Sequence, residues 1–322
     1  DIAEFKPARH DLLPGEYAFG AIQTTRGCPL NCSFCSVTAF NGTRYRQRSI
    51  PDVVSEFKSI PENRVLVVDD NLIGTRVEHI ARAKELFRAM VQANMKKEWI
   101  AQTTINFADD DELLALAYQA GCRGVFIGFE SPTPEGLSEI GKKYNLKDAR
   151  DLGDSVRRIQ KHKILVTGAF IIGLDVDEPG IGKRIADAAS EYGVDFMNTL
   201  FLTPLPGTRL FDQMFGDDRI ALNQYPEDWG HYTLTLPVAR YKNLSHDEVT
   251  EEMLACNSSF YSLPRILSRI GRNLSRRRQP LITVVGNLSY RNNFRMNREN
   301  YAEVDRLSWS RNNTPVPQQQ TS

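Results

Sequence analysis

Between about residue 18 and residue 215, short apolar runs alternate with helical patterns, and this alternation limits the folds available to the chain. We predict six strands, at 19–25, 65–68, 99–105, 124–129, 164–172 and 196–202. The strands are apolar or β-branched, which suits burial on both faces. Between them, the spacing of apolar residues predicts helices over 75–94, 109–120, 146–162 and 180–192. Strand–helix units in series favour an α/β fold with a parallel sheet and right-handed crossovers.

Polar residues cluster where several of the predicted strands end. Three cysteines follow the first strand, an Asp-Asp-Asn run at 69–71 follows the second, and Glu130 and Ser131 follow the fourth. In a doubly wound open sheet and in a barrel alike, ligand sites lie at the carboxyl ends of the strands. We therefore predict one functional rim at that edge in either arrangement.

The three cysteines of that rim, Cys28, Cys32 and Cys35, lie within eight positions of the stretch RGCPLNCSFCSVT. Structural zinc needs four ligands, and neither a fourth Cys nor a His lies nearby. A dithiol redox pair would leave Cys28 without a role. We favour an iron–sulfur cluster with one open iron position, while zinc and redox chemistry remain alternatives. Cys122 and Cys256 are interpreted as small buried hydrophobes.

The composition is typical of a soluble globular protein, with 41% hydrophobic and 25% charged residues. No apolar run approaches the ~20 residues that span a bilayer. The N-terminus lacks the basic start and apolar core of a secretory signal. Because three of the five cysteines are bunched, reducing conditions and a cytoplasmic location are expected. The first residue is Asp1 rather than Met, so we expect a piece of a longer protein.

The motifs resemble one family when they are taken in order. A C-x-x-x-C-x-x-C run in TTRGCPLNCSFCS is followed by VVDDNLIG, WIAQTT, GCRGVFIGFES, GAFIIGLD and LTPLPGT. This order resembles the radical S-adenosylmethionine (SAM) enzymes, and within them the cobalamin-binding subgroup that includes the hopanoid C-2 methylases. The resemblance covers about residues 5–260. It implies a partial (β/α)6 TIM-like barrel with a helical C-terminal extension.

The resemblance also implies cofactors and site residues. Cys28, Cys32 and Cys35 would bind a [4Fe–4S] cluster, and SAM would chelate the open iron. An electron from the cluster would cleave SAM to methionine and a 5′-deoxyadenosyl radical, which takes hydrogen from an unactivated C–H bond. The further cofactor-binding candidates are Phe34, Asp70, Asn71, Gln102, Glu130, Ser131 and Leu202.

Several of these candidates have a plainer structural interpretation. Phe34 fits a core contact under the loop, residues 69–71 fit an N-cap of the next helix, and Glu130 fits an ion pair with a nearby Lys or Arg. Gln102 is expected to share a strand face with Thr104. We favour ligand roles for Gln102 and Glu130, because site residues concentrate at strand ends.

The function expected from the resemblance is a cobalamin-dependent C-methyltransferase that acts on a lipid or another hydrophobic substrate. Its partner would be an external one-electron reductant of the flavodoxin or ferredoxin type. No D-x-H-x-x-G motif of a cobalamin domain is present in residues 1–322, so any cobalamin would come through a domain outside the chain. The alternatives are a methylthiotransferase-like tRNA modifier and a non-catalytic electron-transfer protein.

Charge is distributed unevenly, although the net charge is zero. Residues 261–300 hold nine Arg, no Lys and one Glu, so their formal charge is +8 and that of residues 1–260 is −8. In PRILSRIGRNLSRRR, arginines 265, 269, 272 and 276 share one helical face, and leucines and isoleucines share another. Residues 261–278 are therefore expected to dock on the acidic body of the protein or to touch a membrane. Nucleic acid is less favoured, because no recognition motif is present.

The pattern divides the chain into four predicted parts. They are a linker at 1–17 that follows a domain outside the chain, the barrel at 18–215, a mostly helical region at 216–306 and a disordered tail at 307–322.

Overall fold

The computed structural model describes residues 2, 6–12, 17–275, 279–293 and 301, and its strands form two sheets. The strands of these residues are β1 (Gly20–Ile22), β2 (Thr25–Arg26), β3 (Arg46–Gln47), β4 (Arg64–Val67), β5 (Glu98–Thr103), β6 (Cys122–Glu130), β7 (Leu165–Ile172) and β8 (Phe196–Phe201). Six of them form a parallel sheet in the order β1-β4-β5-β6-β7-β8. The predicted α/β fold and its six strands are confirmed.

Helices connect the strands and continue beyond them. They are α1 (Ser36–Asn41), α2 (Ile50–Ser59), α3 (Val77–Gln92), α4 (Asp111–Gln119), α5 (Pro134–Glu139), α6 (Leu152–Lys161), α7 (Ile181–Tyr192), α8 (Arg209–Gly216), α9 (His246–Phe260) and α10 (Leu263–Ser275). Residues 280–293 are also helical. The four predicted helices correspond to α3, α4, α6 and α7. Helix α2 was not predicted, because its buried side depends mainly on Val53 and Phe57.

The sheet is covered unevenly by these helices. Strand β5 alternates buried and exposed residues along its whole length, and β4 does the same. Leu66 and Ile100 are paired in register and are 36% and 38% exposed. The expectation of burial on both faces is therefore wrong for these two strands. Their second face is an open, partly apolar surface.

The outer edge of β8 is closed by polar contacts rather than by a further strand. The Tyr261 hydroxyl accepts the Met197 N–H at 2.9 Å and donates to the Met197 carbonyl at 2.6 Å. Farther along, the Phe201 N–H donates to the Leu234 carbonyl at 2.9 Å. An exposed strand edge is a template for unwanted pairing. These contacts satisfy the N–H and carbonyl of Met197 and the N–H of Phe201, which another strand could otherwise bind.

The N-terminal segment 6–12 is held against α2 by a buried ionic network. Glu56 is 4% exposed, and its Oε1 accepts from the Ala8 N–H at 3.3 Å and lies 3.3 Å from His10 Nε2. Its other oxygen pairs with Arg48 Nη2 at 2.6 Å. The predicted linker therefore has a fixed attachment point on the sheet domain.

Helices α9 and α10 follow the predicted pattern of a helical C-terminal region. Ser245 and Glu248 form the expected capping box at the start of α9. Helix α9 ends at Phe260 and α10 begins at Leu263. Pro264 occupies the first turn of α10, where its missing N–H costs no intrahelical bond. The predicted interruption is confirmed. The tail predicted at 307–322 lies outside the described residues.

Two arginines of α10 contact the rest of the protein, one of them partly exposed and the other buried. Arg265 pairs with Asp187 of α7 at 2.5 Å, and Arg269 is only 2% exposed. Its guanidinium lies 3.9 Å from the centre of the Phe260 ring. Burial lowers the pKa of Arg269 to about 10. Docking on the protein's own body is therefore confirmed for these two arginines. Among the described helices, none is long and apolar enough to cross a bilayer.

Candidate functional site: a three-cysteine loop

The loop that carries the three cysteines is closed at its base by the small sheet. Strands β2 and β3 pair antiparallel, with Thr25 opposite Gln47 and Arg26 opposite Arg46. Gly27 begins the loop at φ +89°, and a Cβ there would collide with the Arg44 carbonyl oxygen. This position therefore needs glycine for its backbone angle and for the close approach of the two chain segments.

Asp70 fixes the start of this loop. Its Oδ2 accepts the Gly27 N–H at 2.8 Å and the Asn41 side-chain amide at 3.2 Å. The SAM contact predicted for Asp70 remains a prediction, but the structure also gives this carboxylate a structural task. It joins the end of β4 to both ends of the cysteine loop.

The middle of the loop is held by the ends of two other strand–helix connections. The Ser33 N–H donates to the Ile140 carbonyl at 3.1 Å, and the Ser33 carbonyl accepts from the Leu210 N–H at 3.1 Å. Arg209 donates to the Asn31 carbonyl at 2.7 Å. The loop thus lies across the carboxyl edge of the sheet, as the predicted rim requires.

Asp69 joins the ends of β1 and β4 beneath the loop. Its carboxylate accepts from the Thr24 N–H at 2.6 Å and from the hydroxyls of Thr24 and Thr25 at 2.5 Å and 2.9 Å. Burial raises the pKa of Asp69, and these hydrogen bonds oppose that rise. The N-cap interpretation of residues 69–71 is wrong, because α3 begins farther on, with Arg76 as its N-cap.

Asn71 lies beside the cysteine loop, whereas Gln102 of β5 lies on the open face of the sheet. The Asn71 amide lies 3.9 Å from Cys28 Sγ and donates to Thr104 Oγ1 at 3.3 Å. Thr104 is buried and lies beyond the end of β5. Gln102 is exposed, and it lies in register with Phe126 on the open side of the sheet. Gln102 and Thr104 therefore do not share a strand face as expected, and of the two only Gln102 is accessible.

Glu130 ends β6 and forms a buried ion pair. Its Oε1 lies 3.0 Å from Lys142 Nζ, and each side chain is 10% exposed. Glu130 has φ +65°, which is uncommon outside glycine and marks a constrained strand end. The ion-pair interpretation of Glu130 is confirmed, with Lys142 as its partner. Ser131 shapes the following turn, since its Oγ accepts the Thr133 N–H at 3.2 Å.

Phe34 and Leu202 belong to the packing of the site. Phe34 is partly buried and packs against the main hydrophobic core. Leu202 is 1% exposed, and its backbone N–H donates to the Ile172 carbonyl at 2.8 Å. Its side chain lies inside the core, and the cofactor contact predicted at Leu202 remains a prediction.

The thiols are poorly solvated and lie near the Lys142 ammonium. Cys32 is 7% exposed, and the other two cysteines are half-buried. Burial raises the pKa of Cys32 to about 11 and also raises the pKa of Cys28 and Cys35. The ammonium of Lys142 opposes all three shifts, so it lies within electrostatic reach of each thiol. A bound cation has a stronger effect in the same direction, because metal coordination deprotonates a thiol.

This donor set suits an iron–sulfur cluster. Cysteine thiolates are the ligands of iron–sulfur clusters, and the three thiols lie on one short loop. In a four-iron cube each thiolate binds a different iron, so three thiolates leave one iron open. Gly141 passes close to the loop, where a Cβ would be 3.9 Å from Cys32 Cα. Cys28, Cys32 and Cys35 are the residues that would hold the cluster.

Comparison with known proteins places this loop in a family. Residues 22–180 match the model of the radical SAM superfamily. The chain contains a radical SAM domain. The predicted resemblance to radical SAM enzymes is therefore confirmed.

Two curated relatives illustrate the similarity. The bacteriochlorophyllide d C-12(1)-methyltransferase of Chlorobaculum tepidum is 29% identical over 77% of this chain and 53% of its own length. The hopanoid C-2 methylase of Rhodopseudomonas palustris is 26% identical over 84% of this chain and 50% of its own length. The chain spans about half the length of these relatives.

A solved structure agrees in fold. The radical SAM methyltransferase TsrM from Kitasatospora setae, solved with cobalamin and a [4Fe–4S] cluster bound, matches with a TM-score of 0.55 and 25% identity. The match covers 62% of this chain and 39% of TsrM. The open six-stranded sheet is thus the partial barrel of a radical SAM domain, followed by helices.

Sequence reasoning missed two residues of the site. Lys142 follows a glycine in the turn after α5, and nothing in its neighbourhood distinguishes it from an ordinary surface lysine. Asp69 was considered only as a cap, although a fully buried acid at a strand end needs donors. The threonine pair at 24–25 could have indicated those donors, because both are predicted at the end of the neighbouring strand.

Proposed function

We propose that this chain is the catalytic radical SAM part of a methylase. In the proposal, Cys28, Cys32 and Cys35 bind a [4Fe–4S] cluster, and SAM occupies the open iron. When bound, the cluster supplies the electron that cleaves SAM to a 5′-deoxyadenosyl radical for C–H activation. The observation that carries the proposal is the three-thiol loop itself, which three strand ends hold at the carboxyl edge of a parallel sheet.

The chain's own residues would prepare the site for this chemistry. Gly27 and Asp70 hold the loop closed, so the thiols need little rearrangement. The Lys142 ammonium offsets negative charge that gathers on the thiolates. Asn71 directs its amide toward Cys28, and hydrogen bonds to ligand sulfur tune a cluster's potential. The core beneath Phe34 keeps water from the inner side of the loop.

For SAM we propose contacts at the candidates that border this rim. Gln102 faces the open side of the sheet and is accessible. Glu130 and Ser131 lie at the end of the neighbouring strand, although Glu130 would share its carboxylate with Lys142. Asp70 has one oxygen occupied by loop contacts. A carboxylate near the cationic amino group of SAM is chemically favourable.

The finer proposal is methyl transfer to carbon of a lipid or another hydrophobic substrate, with cobalamin supplied through a domain outside this chain. The names of the relatives support methyl transfer, and the partly apolar open face around Leu66 and Ile100 suits a hydrophobic substrate. We also propose a cytoplasmic protein reduced by a flavodoxin or ferredoxin type donor. A lipid substrate would bring the protein to a membrane, but Arg265 pairs with Asp187 and Arg269 is buried, so other residues would face the membrane.

Anaerobic reconstitution with iron and sulfide tests the proposal. The chain should bind about four irons, since one cube needs three thiolates and SAM. Added SAM should then change the electron paramagnetic resonance signal of the reduced cluster and yield 5′-deoxyadenosine. Replacing any one of Cys28, Cys32 and Cys35 with alanine should abolish both results.

The matched controls are Cys122→Ala and Cys256→Ala, which remove a buried thiol from elsewhere in the core. Both should retain the cluster and SAM cleavage if they fold. A cluster that holds iron but does not respond to SAM would favour electron transfer and overturn the proposal. Zinc bound in the loop would overturn it as well.

A further inference from the structure

The C-terminal helix pair, α10 with residues 280–293, buries several polar side chains beside the apolar contact of Ile266. Asn273 of α10 donates to Thr283 Oγ1 and to Asp195 Oδ1, both at 2.9 Å. Asn287 donates to the Asp195 carbonyl at 3.3 Å and accepts from Arg269 Nε at 3.0 Å. All five residues are at most 2% exposed. A polar seam therefore joins the two helices to each other and to the start of β8.

The outer side of the same helix pair is apolar. Leu263, Leu267 and Leu274 recur at helical spacing on α10 and are 52%, 66% and 56% exposed. On the second helix the exposed apolar residues are Leu281 (74%), Ile282 (41%), Val285 (58%) and Leu288 (48%). We refer to these seven side chains as the leucine face. A surface helix in water normally shows the opposite arrangement, with its apolar stripe inward.

The segment that carries the leucine face is basic in sequence, although Arg265 and Arg269 of α10 are engaged on its inner side. Residues 263–293 contain seven arginines and no Lys, Asp or Glu. Three of the arginines are consecutive in the sequence at 276–278, between the two helices. A basic segment next to an exposed aliphatic stripe has the composition of a helix that lies in the interface of an anionic membrane.

The chemistry of the leucine face favours lipid over a protein partner. Protein interfaces are enriched in aromatic residues, methionine and arginine at their centres, and leucine is under-represented among their energetic hot spots. The leucine face contains only Leu, Ile and Val. Acyl chains accept such side chains without a complementary shape.

We propose that the leucine face binds the surface of an anionic phospholipid bilayer. Its aliphatic side chains enter the boundary between headgroups and acyl chains, and the positive formal charge of residues 263–293 attracts the segment to anionic lipids. The polar seam keeps the pair attached to the barrel, so the helices lie on the membrane and do not cross it. This binding needs neither the cluster nor SAM and is independent of the proposed function.

Vesicle flotation of the 322-residue chain tests the inference. Vesicles with an equal mixture of phosphatidylglycerol and phosphatidylcholine should carry the protein upward, while pure phosphatidylcholine should carry much less. High salt should weaken the binding without abolishing it, because the apolar contribution is not screened. The triple variant Leu267→Gln/Leu281→Gln/Val285→Gln should bind about tenfold more weakly or worse.

The matched control is Val77→Gln/Phe215→Gln, which removes two exposed apolar side chains from α3 and α8 (83% and 61% exposed). It should bind vesicles as the unmodified chain does. All five positions are exposed, so both variants should unfold at the same urea concentration as the unmodified chain.

Two outcomes would overturn the inference. The first is no flotation with anionic vesicles, or equal flotation of the triple variant. The second is a dimer by light scattering that the triple variant converts to a monomer, since a second copy of the chain would then cover the leucine face. Neither outcome would affect cluster binding or SAM cleavage, which report on the proposed function separately.

Discussion

The chemistry of the cysteine motif depends on single residues that are far from it in sequence. Lys142 is the clearest case, because its ammonium is buried, pairs with Glu130 at 3.0 Å and interacts with all three thiols. Burial alone would lower the pKa of Lys142, but attraction to Glu130 and Cys32 raises it overall. The lysine therefore stays charged and balances a site that would otherwise gather negative charge.

Replacing this lysine tests its role at the residue scale. Lys142→Met should destabilise the metal-free chain by about 3–5 kcal/mol, because Glu130 would remain buried without its partner. Urea denaturation measures the effect. In the reconstituted protein the midpoint potential of the cluster should become more negative, since loss of a nearby positive charge disfavours the reduced state.

The double variant Glu130→Gln/Lys142→Met separates charge from packing. It removes both charges and should recover most of the stability lost in the single variant. A buried ion pair adds little net stability compared with two uncharged side chains at the same positions. Because the double variant also loses the negative charge of Glu130, its midpoint potential should lie between those of the single variant and the unmodified protein. A single variant as stable as the unmodified chain would contradict the assigned ion pair.

At the scale of elements, the β2–β3 ladder turns the cysteine motif into a closed loop. Only two residue pairs form it, so it depends on the tight passage of the chain at Gly27 and Arg44. Short ladders of this kind carry little sequence signal. The arginine-rich stretch that contains β3 could not be predicted as a strand from its pattern.

Gly27→Ala should open this loop while leaving the main sheet intact. The added Cβ collides with the Arg44 carbonyl, and φ +89° is unfavourable for alanine. We expect near-complete loss of iron on reconstitution with an unchanged far-ultraviolet circular dichroism spectrum.

Gly42→Ala is the matched control, because Gly42 has φ +70° in the same loop but no atom within 4 Å of the added Cβ. Its backbone angles, φ +70° and ψ 179°, favour glycine, so the change should cost about 1–3 kcal/mol but retain iron. Equal iron content in the two variants would show that the close approach at Gly27 is not needed.

For the whole molecule, part of the charge asymmetry is balanced where the C-terminal helices dock on the barrel. Two arginines of the basic segment make contacts of unequal depth, and the one at Arg265 is an ion pair with the acidic body. Arg265 is partly exposed and pairs with Asp187 at 2.5 Å, whereas Arg269 is buried and donates to the Phe260 carbonyl at 2.9 Å and to Asn287. The deeper contact should carry most of the docking energy.

Arg269→Met should therefore destabilise the chain more than Arg265→Met. Loss of Arg269 leaves the Phe260 carbonyl and the Asn287 side chain without their donor, at a cost of about 1–3 kcal/mol. Loss of Arg265 removes a half-exposed pair worth about 0–1 kcal/mol. Urea denaturation followed by circular dichroism compares them, and equal midpoints would argue against a structural role for the buried guanidinium.

The features of this protein that could be predicted from the chain alone are those set by residues close together in sequence. Alternating apolar runs predicted the parallel sheet, and the spacing of Cys28, Cys32 and Cys35 predicted a cluster loop at its carboxyl edge. The capping pair Ser245 and Glu248 and the break at Pro264 were also predicted. Each of these signals is local, because periodicity, capping and ligand spacing are set within a few residues.

Contacts between side chains that are distant in sequence could be identified only from the three-dimensional structure. Helical spacing placed the arginines and leucines of α10 on opposite faces, but it could not say that Arg269 would be buried and Leu267 exposed. Lys142 became part of the site, and Leu202 became core, for the same reason. Burial and pairing depend on how elements pack in three dimensions. The residue pattern along one element does not show which other elements pack against it.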